Sequence, residues 1–234
     1  MSIPTAPGTS TGTGTGIATL VRISLNVHSP QVRRDLARPD SLHKTVMTLA
    51  PAGLGDSHRQ EAGLLFRLDQ ATRHAPPTLL VQSQLPPDLA DLSPAYGQTE
   101  TRDLTPMLAA LTAGRRVRYR ITANAVVRRK AADNPDRRTD EPLHGDAALL
   151  WWHRKAAYAG LALDSAALTP MSRSRHPISK EHGSDGKTAH FRYALTRFDG
   201  QATIIEPDLL RHAVLAGIGR AKSHGAGLLS LAPA

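Results

Sequence analysis

The chain has 234 residues, enough for one large domain or two small ones, and its 40% hydrophobic content can support a real core. Lysine and arginine number 29 against 20 acidic residues, a formal charge of +9, which favours an anionic partner and nucleic acid over membrane. The lack of cysteine excludes disulfides and thiolate metal sites, no apolar run nears the roughly 18 residues of a membrane span, and no signal-peptide pattern opens the chain, so a soluble, cytoplasmic protein is expected.

Met1–Gly16 (MSIPTAPGTSTGTGTG) can bury nothing, and a disordered tail is expected there. IATLVRISLNV, from Ile17, predicts a central strand, followed by a polar, basic turn, SPQVRRDLARP. DSLHKTVMTLAP predicts a helix: Leu42, Val46 and Leu49 keep the i, i+4, i+7 rhythm of one apolar face, Asp40 can cap its start, and Pro51 and Gly53 end it. LLFRLDQ and TLLVQSQL read as strands around a turn near Pro76. PPDLADLSPAYG reads as loop or short helix, and TPMLAALTAG as a short helix stopped by Gly114.

The pattern then restarts. RRVRYRITAN alternates, with Val117, Tyr119 and Ile121 on one face and Arg116, Arg118 and Arg120 on the other, as in a half-exposed strand with a cationic outer side. A basic run, Arg128 to Lys130, and a polar segment read as a solvated linker and loop. DAALLWWHRKAAYAG reads as a helix. LALDSAALTPMSRSR and KTAHFRYALTRFDG read as paired strands joined by a basic loop, and Asp199-Gly200 signals a tight hairpin into QATII. Pro207 opens a helix and GLLSLA forms the closing strand. The order in the second half is β-α-β-β-α-β, and the first half follows it more loosely. The expected class is therefore α+β, two tandem ferredoxin-like domains: a tail over 1–16, a first domain over 17–113 and a second over 114–234. The RNA-recognition module shares this topology. Its aromatic-rich strand motif is missing, and with 4% aromatic residues the chain does not bind chiefly by stacking.

Two segments look built for phosphate. The loop MSRSRHPISKEHGSDGK carries Arg173, Arg175, Lys180 and Lys187, suited to following the backbone of an A-form RNA stem. Its histidines match no metal-ligand spacing, and neither a metal nor a cofactor is expected. GIGRAKSHGAGLLSLAP, from Gly217 to Pro233, sets Arg220 and Lys222 among four glycines. It is neither a P-loop nor a dinucleotide fingerprint, since it ends in a strand and opens no helix. Gly217 can simply end the preceding helix, but that explains one glycine of four.

The same segment resembles the C-terminal glycine-rich motif of the CasE family, the CRISPR RNA-processing endoribonucleases of type I-E systems. LNVHSPQVRRDLARPDSLHKTVM is similar to that family's first strand, basic turn and histidine-bearing helix, and VRYRITAN to the opening of its second domain. The similarity runs from about Ile17 to Pro233. It implies two ferredoxin-like domains and metal-independent cleavage of a CRISPR repeat hairpin. It also implies that the product RNA stays bound and that the chain joins the other subunits of a surveillance complex.

The family's catalytic histidine falls on His43, and a histidine suits proton transfer near neutral pH. Three residues earlier, where better-known members carry tyrosine, this chain has Asp40. Asp40 either caps the helix or favours the His43 imidazolium, which would bias it toward general acid. Lys44 either stabilises the phosphorane or is a solvated helix residue. Arg33 and Arg34 are candidate phosphate contacts near the scissile bond. In the glycine-rich motif Gly219, Arg220, Lys222, Ser223 and Gly225 are expected to hold RNA backbone, with His224 binding or structural. An RNA-binding subunit without activity, and a ferredoxin-like protein for small anions, are the alternatives.

Overall fold

The computed structural model describes residues 18–55, 58–130, 138–171, 175–177, 190–192 and 194–234. The expected tail, and Arg173, Lys180 and Lys187 of the basic loop, lie outside the described residues. The first half runs β1 (Thr19–Leu25), α1 (Pro30–Ala37), α2 (Pro39–Met47), α3 (His58–Glu61), β2 (Leu65–Asp69), β3 (Thr78–Ser83), β4 (Gly97–Asp103) and α4 (Thr105–Ala109). Its sheet has the order β2-β3-β1-β4, antiparallel throughout. The second half runs β5 (Arg116–Asn124), β6 (Val126–Lys130), β7 (Arg138–Pro142), α5 (Gly145–Tyr158), β8 (Leu161–Leu163), β9 (Ala167–Pro170), β10 (Arg175–Pro177), β11 (His190–Arg192), β12 (Leu195–Ile204), α6 (Pro207–Ala216) and β13 (Leu229–Pro233). Its sheet has the order β13-β5-β12-β8, with β9 also on β12.

In both sheets the first and third strands of the repeat lie side by side and the last strand adds to the first, the ferredoxin-like arrangement. The first copy departs from it. Between β3 and β4, where a second helix belongs, the described residues hold only the 3-10 turn Pro94–Tyr96. The second copy carries an insertion: the polar segment expected to be linker and loop contributes the β6–β7 hairpin.

Three local expectations are corrected. The basic turn before His43 is a helix, α1. It stops at Ala37 because Arg38 precedes Pro39 and takes an extended conformation, φ −136° and ψ 103°. Gly97–Asp103, not anticipated as a strand, is β4, an edge strand whose residues are nearly all exposed. Asp199-Gly200 makes no hairpin; β12 runs straight through it. Gly200 is there because backbone crosses it closely. A Cβ at that position would sit 2.1 Å from the Ser165 carbonyl oxygen and 2.7 Å from the Tyr119 hydroxyl, which itself donates to that carbonyl. Gly200→Ala is expected to destabilise by about 1–3 kcal/mol, read as a lower urea midpoint at unchanged slope.

Two cores form. One gathers Val21, Ile23, Val32, Leu42, Val46, Leu79 and Tyr96 under the first sheet. The other stacks Trp152 on Phe198, 5.7 Å apart, with Tyr119, Ile121 and Val214 around them. Leu108 and Leu111, just before the boundary expected at residue 113, pack in this second core.

The seam between the halves is polar and specific. Arg67, 3% exposed, donates to the Asp69 carboxylate at 2.8 and 3.2 Å. It also donates across the seam to the Ser230 hydroxyl at 2.9 Å and the carbonyls of Arg120 and Leu228. The last carbonyls of α6, which a helix cannot satisfy internally, are met by side chains: Gln82 donates to Val214 O, Gln84 to Leu215 O and Lys222 to Ala216 O. No helix among the described residues is long and apolar enough to cross a membrane.

Candidate active site

The site is built on α2. Proline at its first position presets the backbone, and Leu42 and Val46 anchor one face. Arg38, not Asp40, is the N-cap, and no side chain caps the helix; Asp40 lies in the first turn. A buried carboxylate fixes the orientation of α2. Asp35 of α1, 1% exposed, accepts from Thr45 at 2.6 Å, from the Tyr96 hydroxyl at 3.0 Å and from Arg34 at 3.3 Å. One carboxylate thus joins both helices to the 3-10 turn before β4. Burial, and then the neighbouring Asp35 charge, raise the Tyr96 pKa, so its phenol remains a donor. Asp35 and Tyr96 escaped the sequence reading. A usable signal was present, since Asp35 lies three residues after Val32 and shares its buried face.

His43 is half-buried at the edge of the apolar face, and its buried Nδ1 has no partner among the described residues. Its pKa is lowered below the ordinary 6.5, first by burial, then by the positive charge of Arg59, with Asp40 pulling the other way. The expected bias toward imidazolium is therefore reversed: Asp40 acts in that direction but is outweighed. Since the fold disfavours the charged ring, the His43 contribution to stability is complete above pH 6.5 and is lost as pH falls toward the lowered folded-state value. The His43 ring is expected to titrate in an NMR pH series with a midpoint below 6.5, and Arg59→Ala to move that midpoint upward. An unmoved midpoint would remove Arg59 from the site.

The other anticipated residues are distributed as follows. Lys44 is exposed. Arg33 and Arg34 are exposed on α1, Arg33 donating to the His28 carbonyl and Arg34 to Asp35. Arg175 lies in β10, paired with Arg192 of β11. In the glycine-rich segment, residues 222–224 form a 3-10 turn that packs against both β2 and α2, bringing the motif to the histidine helix. Gly225, at φ +81°, lies on the Phe66 ring, where a Cβ would approach to 3.2 Å; Gly217, at φ +71°, fits the same way against Leu65. These two glycines serve the packing of one half on the other. Gly219 faces Trp151, and Ser223 is half-buried. Arg220 is ion-paired with Asp140 of the β6–β7 hairpin, while Lys222 donates to the Ala216 carbonyl at 2.6 Å. Burial, and then Arg59, lower the Lys222 pKa. Arg59 thus affects both His43 and Lys222, and the sequence reading missed it. Among the described residues no three His, Asp or Glu side chains converge to hold a metal ion.

The family model described as CRISPR associated protein matches residues 20–233. The CRISPR-associated endoribonuclease Cse3 of Thermus thermophilus is 29% identical over 218 residues, covering 92% of this chain and 99% of that protein. The structure of Thermus thermophilus Cse3 bound to an RNA representing a pre-cleavage complex superposes with a TM-score of 0.72 at 26% identity, covering 92% of this chain and 99% of that one. A chain of a CRISPR RNA-guided surveillance complex in a pre-nicking state matches with a TM-score of 0.67 at 37% identity, over 92% of this chain and 100% of that one.

Proposed function

The chain belongs to the family of CRISPR associated proteins, and from that premise we propose that it is a metal-independent endoribonuclease that cuts CRISPR repeat hairpins and keeps hold of the product as a subunit of a surveillance complex. The observation that carries the reading is His43, half-buried, with a ring nitrogen that has no partner among the described residues and a pKa held down beside Arg59 and the glycine-rich turn. RNA supplies its own nucleophile. The 2′-oxygen bonds to the adjacent phosphorus, the bond from phosphorus to the 5′-oxygen breaks, the departing 5′-oxygen takes a proton from water, and a 2′,3′-cyclic phosphate and a 5′-hydroxyl result. A neutral imidazole is suited to take the 2′-OH proton as the new bond forms, so His43 is assigned the general base. The crowded anion needs cations or backbone donors, which the turn and α3 bring to the same place.

A second reading, an RNA-hairpin-binding subunit without activity, is favoured by one observation. Asp40, a residue without a phenol's donor, stands where better-known relatives of the CasE type carry tyrosine. Incubating the protein with a repeat hairpin in EDTA separates the two. Cleavage leaving a cyclic phosphate is expected; tight binding with intact RNA would establish the second reading instead.

A further inference from the structure

We propose that Arg59 is a phosphate-binding residue of this site, acting with Lys222 from the other domain to hold an RNA phosphate beside His43; the proposal rests on the reading of the chain as an RNA-cleaving enzyme. The geometry is a cleft of about 340 Å³ on the domain seam. One wall is α3 with the segment leading into β2, and the other is the C-terminal end of α6 with Lys222 of the glycine-rich turn. Among the described residues, the charged groups lining it are Arg59 and Lys222, Gln60 and Gln84 add amides, and no carboxylate lines it.

The cleft offers donors rather than acceptors. The α6 carbonyls on its wall are already met by Gln84 and by one proton of the Lys222 ammonium, which leaves that ammonium two more to give. The Arg59 carbonyl accepts from Leu64 N–H at 2.8 Å, but its guanidinium makes no hydrogen bond or ion pair to a described residue, so among the described residues its five N–H donors are unused. Two like charges are held close, with burial disfavouring the charge on Lys222 and no acid of the described residues lining the cleft between them. Such an arrangement is relieved by an anion with several oxygens, and a guanidinium fork matches phosphate geometry. The turn that carries Lys222 also packs against α2, the helix of His43. A phosphate bridging Arg59 and Lys222 therefore lies next to the base that the reaction needs. A bound anion also offsets the Arg59 charge that depresses the imidazole, so anion binding and His43 protonation are linked.

The test compares Arg59→Ala, Arg59→Lys and the charge-matched Arg102→Ala, a change of an exposed β4 arginine far from the site in sequence. In single-turnover cleavage of a repeat hairpin, Arg59→Ala is expected to slow the reaction about a hundredfold. It is also expected to flatten the salt dependence of binding by about one contact. Arg59→Lys should recover part of the rate, and Arg102→Ala should stay within about twofold of wild type. Wild-type activity in Arg59→Ala overturns the proposal and leaves the nuclease reading intact. Should the wild type cut no RNA, the nuclease reading falls, and inorganic sulfate decides the rest. Sulfate should raise the NMR titration midpoint of His43 in wild type and not in Arg59→Ala; no rise in wild type overturns the anion site. The sulfate titration of the wild type also stands if the alanine variant does not fold.

Discussion

His43→Ala is expected to lower the rate of hairpin cleavage by about 10²–10⁴-fold while hairpin affinity stays within a few fold, because a positioned proton acceptor contributes on that scale and binding rests on cations elsewhere. The fold should tolerate the change. α2 is held by Leu42 and Val46 in the core and by the Thr45 bond to Asp35, none of which involves the imidazole. The substitution even removes a buried nitrogen that has no partner among the described residues, so stability should be unchanged or slightly higher. Single-turnover kinetics beside a binding isotherm read both quantities. Cleavage at the wild-type rate would take the proton transfer away from His43. Loss of binding together with cleavage would make it an RNA contact instead.

Arg67→Leu is expected to destabilise the protein by about 3–5 kcal/mol, the scale for removing one member of a buried ion pair, and a large share of the 5–15 kcal/mol that typically holds a domain folded. The guanidinium is nearly sealed from water and serves the Asp69 carboxylate on its own strand as well as a hydroxyl and two carbonyls of the other domain. Leucine fills part of the volume but leaves Asp69 without its cation and Ser230 without this donor. Because the lost contacts cross the seam, urea unfolding should show the halves separating, as a broadened or double transition where the wild type has one. A midpoint unchanged within about 0.5 kcal/mol would mean that the apolar contacts at the seam suffice alone.

The second half was easier to read from sequence than the first, for reasons visible in particular residues. β5 alternates cleanly over its first half, where Val117, Tyr119 and Ile121 are buried as the alternation predicts; from Ile121 to Asn124 every residue is buried. β4 carries Gln98, Thr99, Glu100, Thr101 and Arg102, almost all exposed, and an edge strand with no buried face shows no alternation to detect. Asp199-Gly200 has the composition of a turn, yet Gly200 answers to a neighbouring carbonyl that only the folded sheet places there. Arg120 and Arg197 donate to Asp199, so part of the cationic outer face of β5 is neutralised by its own sheet. In the site, His43 was reachable from motif and helix rhythm. Arg59 was not, because its part depends on a turn more than 160 residues later arriving opposite it. The glycines at 217 and 225 had the same ambiguity: positive φ can serve a ligand or a close neighbour, and the neighbour is Leu65 or Phe66 of the other domain.

The seam has a consequence in time. Domains generally fold as units during synthesis, the N-terminal one first. β1, β2 and β3 are complete within the first 83 residues, and the His43 helix with them, whereas Lys222 and the glycines that seat its turn come more than 130 residues later. A partly made chain therefore displays the histidine on α2 without the glycine-rich turn that packs against it, with Arg67, Gln82 and Gln84 awaiting the acceptors of α6, β5 and β13. Until that second half docks, the cleft has one wall and one cation, so under the proposed role of Arg59 and Lys222 a nascent chain is a poor trap for RNA.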